Sequence, residues 1–307
     1  MKYFFIMNPG SKSGKSKKKF RTIFKLLDKY NIEYSFKYTK SLDDAYNFSA
    51  CANKEGYDII VAVGGDGTIN KVINGFYDSY GNRISNAKFA VIYTGTSPDF
   101  CKSYGIPLNL DKAILLLSNA DSKKISIGQI KFSTGGQVTT SYFACCANIG
   151  IGAALARVAG GGIRGILGDT LGTFLSLISV LTKYKTCDYK ICIDNKEHTV
   201  KNVHNTSIGR TFYIASGIKV KNELNIEDNR FYSLTVKNIR IKNLIKVISK
   251  IYSGEQINND DNLQLEYFEK LKIYDSKAEV EFDGDAAGFL PCEIEMARDK
   301  LDLICEG

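Results

Sequence analysis

Residues Tyr57–Val63 (YDIIVAV) run directly into Gly64-Gly65-Asp66-Gly67-Thr68, and a helix-compatible segment from Thr68 to Phe76 follows. An unbroken apolar run closed by glycine reads as a strand buried on both faces, of the kind found in parallel sheets. Glycine has no Cβ, so such a turn lets the backbone approach a ligand closely. Its amides, together with a helix start, form a concavity suited to an anion. Asp66 would repel a bare phosphate, so its place among the glycines points to a metal ion or a proton to be handled. A plain βα turn with an aspartate cap would not need three glycines.

The same alternation extends outward on both sides. Tyr3–Met7, Glu33–Tyr38, Asp58–Val63 and Lys88–Tyr93 read as strands. Lys15–Tyr30, Leu42–Lys54, Thr68–Phe76 and Asp111–Asn119 read as helices, with Ser41 as an N-cap and Asp43 and Asp44 in the first turn that follows. Strands separated by helices of this length predict βαβ units and a mainly parallel sheet. Ligands in such sheets bind beyond the carboxyl ends of the strands. Three loops fall there: Asn8–Gly14, Gly64–Thr68 and Thr94–Phe100.

After about residue 122 the pattern changes. Ile125–Phe132 and Gln137–Ala147 flank Gly135-Gly136 and predict a hairpin. Short strand candidates follow at 188–193, 199–203, 211–215, 231–236, 271–274, 278–282 and 293–296, with helices only at Gly165–Tyr184 and Lys242–Ser253. Many short strands between turns predict an antiparallel sandwich or barrel. The expected organisation is an α/β nucleotide-binding domain over residues 1–123 and a β-rich domain over 124–307, whose last strand could return to the first domain.

Composition narrows the functional classes. The chain has 307 residues, 44% hydrophobic and 24% charged, with a net charge of +8. Such a length favours two domains. The eight cysteines form no CxxC pair and only two histidines accompany them, which argues against zinc and for reduced thiols. The start carries only a short apolar run and no signal cleavage site, and the stretch from Gly165 to Leu181 is too polar to span a bilayer. The expectation is a cytoplasmic protein. Lys12, Lys15, Lys17, Lys18, Lys19 and Arg21 crowd the first helix. They read as a solvated face, a phosphate contact or an attraction to anionic membrane; no nucleic-acid motif accompanies them.

Asn8-Pro9-Gly10-Ser11-Lys12-Ser13-Gly14-Lys15-Ser16 invites a P-loop reading, but the first glycine of that motif would fall on Pro9. With Gly64–Asn70 (GGDGTIN) the segment instead resembles the NPxSGxGK and GGDGTxN loops of the diacylglycerol, sphingosine and ceramide kinase family. It is most similar to the bacterial soluble lipid kinases of the diacylglycerol kinase type. Thr94–Phe100 (TGTSPDF) is similar to that family's GTxNDF stretch, Phe143–Gly152 to its FxNxxGxG strand and turn, and Asp283-Gly284-Asp285 to its terminal DGE. Lys71, Pro98 and Ser126 depart from the pattern.

The resemblance implies an ATP- and Mg²⁺-dependent kinase acting on a lipid hydroxyl, such as that of diacylglycerol, at a membrane surface. It implies peripheral membrane association and is compatible with a homodimer. It places the nucleotide on Asn8, Pro9, Ser11, Ser13, Gly14, Lys15, Gly64, Gly65, Gly67, Thr68, Asn70, Gly95, Thr96 and Ser97. Asp66, Asp283 and Asp285 are its catalytic acids, with Asp285 the expected general base. Asp66, Asp99 and Asp228 are the expected metal ligands. Two other readings stay open: a degenerate member that binds nucleotide or lipid in a regulatory role, and an NAD kinase, whose loop is also GGDG-like.

Overall fold

The computed structural model describes residues 1–158, 184–214, 218–274, 278–283 and 285–306. The predicted helix at Gly165–Tyr184 lies outside the described residues, apart from Tyr184. A six-stranded sheet is built from β1 (Tyr3–Met7), β2 (Tyr34–Tyr38), β3 (Ile59–Gly64), β4 (Lys88–Tyr93), β5 (Ser122–Ile125) and β18 (Leu301–Ile304). Its order is β2-β1-β3-β4-β18-β5, parallel from β2 to β18, with β5 antiparallel at the edge. The chain leaves β1 in one direction and returns to β3 on the other side, so the β1–β3 crevice is the switch point where such sheets bind ligands.

Apolar residues on alternate faces of these strands make two layers. On one face Phe20, Ile23 and Leu27 of α1 (Lys17–Lys29) pack with Ile114 and Leu117 of α5 (Leu110–Asn119). On the other lie α2 (Leu42–Lys54) and α3 (Asp66–Asn74). α2 starts with a reciprocal capping box: Ser41 Oγ accepts from the Asp44 amide, and the Asp44 carboxylate accepts from the Ser41 amide.

The second half forms an antiparallel sheet that closes on itself. Around the ring run β8 (Cys146–Gly150), β16 (Glu279–Phe282), β17 (Asp285–Met296), β15 (Leu271–Ile273), β9 (Cys187–Ile193) and β10 (Lys196–Gly209). Two long strands turn its corners. β10 pairs with β9 up to Val203 and with β8 from Asn205 onward, and β17 changes partners between Phe289 and Cys292. Register shifts at those points bend the strands from one leaf to the other. The predicted break after Val203 is thus a bulge inside one strand. The hairpin β6 (Gly128–Thr134) and β7 (Gln137–Phe143) joins through β17, while β13 (Phe231–Lys237) and β14 (Leu263–Phe268) extend the other end. β14 has no counterpart among the predicted strands.

The predicted strand 137–147 is two strands, interrupted at Ala144-Cys145. One buried cluster crosses from α3 and β4 through Phe100 and Tyr104 to Tyr142, Ala144 and Tyr232 of the second half. The two halves therefore share a core beside that interruption. Among the described residues, no helix is long and apolar enough to cross a membrane.

Candidate active site

The three glycine-bearing loops meet at the carboxyl edge of β1, β3 and β4. Asn8 leaves β1 and donates from Nδ2 to Thr68 Oγ1 at 2.8 Å, while its Oδ1 accepts from the Gly10 amide at 2.9 Å. Ser16 and Thr94, both buried, share a hydrogen bond of 2.7 Å between their hydroxyls. The first loop is thereby tied to both neighbours. A Cβ added to Gly95 would lie 2.5 Å from Gly65 Cα, and one added to Gly64 would lie 2.4 Å from Thr68 Oγ1. Only glycine permits this contact of backbone against backbone.

The first loop differs from a phosphate cradle in one respect. Lys12, Ser13 and Gly14 have φ of 54°, 53° and 82°, and the chain curls on itself. The amides of Gly14, Lys15 and Ser16 donate to the carbonyls of Gly10, Lys12 and Ser11. These amides are used within the turn. Ser13, Gly14 and Lys15 sit exposed at the rim, with Pro9 and Ser11 half-buried nearer Gly65. The open amides are instead those of the first turn of α3, where Gly65 is the N-cap and Asp66, Gly67 and Thr68 follow. Thr96 is exposed and Ser97 half-buried in the third loop.

Asp66 stands at that helix start with Oδ1 buried and without a hydrogen-bond partner. Burial, then the charges of Asp99 and Asp283, push its carboxyl up to about 8, although the backbone amides of Phe100 and Asp99 pull the other way. The Tyr93 hydroxyl lies beside it, and burial followed by the Asp66 charge raises that phenol too. Asp99 is buried at the first position of α4 (Asp99–Ser103), immediately after Pro98.

Asp283 comes from the second half, 217 positions beyond Asp66 in the numbering. It adopts φ of 47° in the turn between β16 and β17. Its Oδ1 accepts from the amides of Cys145 and Cys146 at 3.2 and 3.1 Å. Its Oδ2 accepts from the Ala144 amide and from Asn70 Nδ2, each at 3.0 Å. Burial raises the Asp283 carboxyl, and these four donors oppose the rise. Asn70 also donates to the Tyr142 carbonyl at 2.9 Å, and Asn74 brackets Tyr142 by donating to its carbonyl and accepting from its amide. The interruption at Ala144-Cys145 exists because these amides serve a carboxylate instead of a neighbouring strand.

Asp285 begins β17 with its backbone opposite Phe282; its side chain lies outside the described residues, as does Gly284. Asp228 belongs to a different place. Its carboxylate accepts from the Arg230 amide at 2.8 Å, from Nε at 3.1 Å and from Nη2 at 2.9 Å. The Arg230 hydrogen bonds hold the Asp228 carboxyl below the usual range. Arg210, buried, donates to the carbonyls of Ser126 and Asp228. Where a metal was expected at Asp228, arginine supplies the positive charge, so the donor set does not fit a cation there. Around Asp66 it does fit: an orphaned buried oxygen with two more acids close by awaits positive charge. No group of three or more His, Cys, Asp or Glu is preformed around a metal position among the described residues. Magnesium commonly takes only one or two protein carboxylates and completes its shell with water and phosphate.

Asn74, Tyr93, Tyr142 and the Ser16–Thr94 pair were not legible as site residues. Asn74 follows Asn70 by one helical turn, which is the signal that could have exposed it.

Residues 2–130 match the family model for the diacylglycerol kinase catalytic domain. Residues 150–305, half of the chain, match the YegS C-terminal NAD kinase beta sandwich-like domain. The chain belongs to the diacylglycerol kinase family. Within that family it is 27% identical to the diacylglycerol kinase of Bacillus subtilis (strain 168) over 290 residues, covering 94% of this chain and 91% of the relative. It is 24% identical to the diacylglycerol kinase of Staphylococcus aureus (strain MRSA252), covering 97% and 90%. A crystal structure of a diacylglycerol kinase from Bacillus anthracis str. Sterne superposes with a TM-score of 0.71 at 20% identity, covering 99% of this chain and 97% of that one. Yeast NADH kinase complexed with NADH shares the fold at a TM-score of 0.56 and 9% identity, covering 100% and 84%. Like other members of the diacylglycerol kinase family, the protein is a lipid kinase.

Proposed function

We propose that the protein transfers the γ-phosphate of ATP to the hydroxyl of diacylglycerol, giving phosphatidic acid, at a membrane surface. The observation that carries this reading is Asp66, a buried carboxylate with an unpartnered oxygen at a glycine-lined helix start, faced by an acid-bearing turn from the other half of the chain. The names of the relatives supply the acceptor.

Phosphoryl transfer asks mainly for positioning and neutralisation of charge. In this reading the first amides of α3 and the hydroxyl of Ser97 receive phosphate oxygens, with the exposed Thr96 and Lys15 at the rim. Asn8 holds Thr68, which ties the first loop to the start of α3. Asp66, with Asp99 behind it, would hold Mg²⁺ together with the phosphates. Such an ion neutralises the charge that develops on the transferring group. Asp283 is a positioning residue in this scheme: its four donors leave no lone pair for an incoming hydroxyl proton. It ties Asn70 of the nucleotide half to the 144–146 turn of the acceptor half. Asp285, two residues on, is the proposed general base. Lys71, which departs from the family pattern, lies 3.9 Å from the exposed Asp43 on α2.

Purified protein in mixed micelles of detergent and diacylglycerol, with radiolabelled ATP and Mg²⁺, is expected to yield labelled phosphatidic acid, and Asp66→Ala to abolish it. Label appearing only in NADP when NAD is offered, or nucleotide-dependent thermal stabilisation with no labelled lipid from a total lipid extract, would sink the proposal.

A further inference from the structure

A cleft of about 530 Å³ opens where the chain crosses from β17 back to β18. Hydrogen bonds through Tyr142 link its wall to Asn70 and Asp283. The Tyr142 carbonyl holds Asn70 and Asn74, while its hydroxyl lies between Gln129 Nε2, at 3.2 Å, and the Asp78 carbonyl. Gln129 lines the cleft together with the buried Ser126. Its volume falls within the ordinary range for small-molecule sites.

The walls carry Lys131, Lys270, Arg298 and Lys300 against only Glu269 and Glu295. Glu295 is shared by Lys131 at 3.7 Å and Lys270 at 3.0 Å, and Lys300 leans out to Glu227 at 3.6 Å. Arg298 makes no ion pair among the described residues. Its backbone is nevertheless fixed. The Asp299 amide donates to the Gly81 carbonyl at 3.1 Å, and a Cβ on Gly81 would come within 3.0 Å of the Arg298 nitrogen. The turn so clamped presents Tyr80, 68% exposed, at the rim.

With Lys300 taken up by Glu227, the four cations meet three carboxylates, which leaves a surplus of one positive charge at this concave wall. The Arg298 guanidinium, with the Asp78 charge acting on it, makes no hydrogen bond among the described residues, and such a planar group favours an acceptor that can take several hydrogen bonds at once. A phosphate monoester brings nearly two negative charges and three acceptor oxygens. We propose that this cleft is a second ligand site, separate from the Asp66 site, that binds a small phosphorylated anion with its phosphate on Arg298 and Lys131 and its remainder beneath Tyr80.

The test is isothermal titration of the full chain with inorganic pyrophosphate, in metal-free buffer of low ionic strength. Arg298 is exposed, so Arg298→Ala and Arg298→Glu are expected to fold, which circular dichroism checks. The expected result is saturable binding, weakened roughly ten-fold by Arg298→Ala and further by Arg298→Glu. Lys15→Ala, at the rim of the other site, is expected to leave it unchanged. Equal binding by wild type and Arg298→Glu, or no binding to wild type at millimolar concentrations, overturns the proposal. A second arm identifies the source of the phosphate. Vesicles containing phosphatidic acid that displace pyrophosphate assign the cleft to a lipid headgroup, and vesicles that fail to do so assign it to a soluble phosphorylated molecule.

Discussion

Two acidic clusters of this protein show opposite solutions to the same electrostatic problem. At Asp228 the carboxylate is neutralised from within: Arg230 donates to it three times, and its pKa falls. At Asp66 three acids approach one another, one oxygen has no partner, and the carboxyl rises to about 8. A buried charge left without a counter-charge is costly, and a fold tolerates it where a ligand will supply the missing charge. The contrast separates an acid that completes the structure from an acid that awaits a substrate complex.

The largest effect expected from breaking this contrast is on turnover. Asp66→Ala should lower kcat by at least ~10³-fold, since several kcal/mol of charge stabilisation depend on it, while circular dichroism and Tm stay at or above wild type. A variant that keeps more than a tenth of the activity would place the metal elsewhere. Asp285→Asn should cost roughly 10²–10⁴-fold in kcat with nucleotide affinity preserved, as expected for loss of a general base. Unchanged turnover would remove Asp285 from that role.

Asp283→Ala strands three backbone amides and Asn70, so it should destabilise the protein by ~2–4 kcal/mol in urea unfolding. The comparison can also be sharpened by pH. In chelator, the native state holds a proton on Asp66 that the unfolded chain releases near 3.8. Its contribution to stability is therefore intact below that pH and lost progressively as pH rises towards about 8. Asp66→Asn should flatten this part of the profile. The smallest effect belongs to the other cluster: Asp228→Asn should cost about 1 kcal/mol, because part of Arg230 is exposed to solvent. Chelator should not add to it. A chelator-dependent Tm in wild type at that position would restore the metal there.

Much of the first half was readable because each element is locally specified. Tyr3–Met7 and Lys88–Tyr93 coincide with the predicted strands, and Ser41 with Asp44 announced the start of α2 within four residues. The glycines at 64, 65 and 95 were readable as loops, but that Gly65 and Gly95 face each other was not, since it depends on the crossover through α3 that sets β4 beside β3. In the second half most of the short strands were found, though not β14, and their connections were not. The split at Ala144-Cys145 depends on Asp283, far along the chain, and no local pattern encodes it.

The sequence by itself determined the alternation of strand and helix, the position of the glycine loops and the acids within them, because periodicity, capping and glycine freedom act over a few residues. Tertiary structure alone decided that Asp66 stays bare. Arg230, two residues along the chain, neutralises Asp228 locally, whereas only folding brings Asp99 and Asp283 to Asp66. Electrostatic interaction depends on distance and burial in space, and neither is a property of neighbouring residues in the chain.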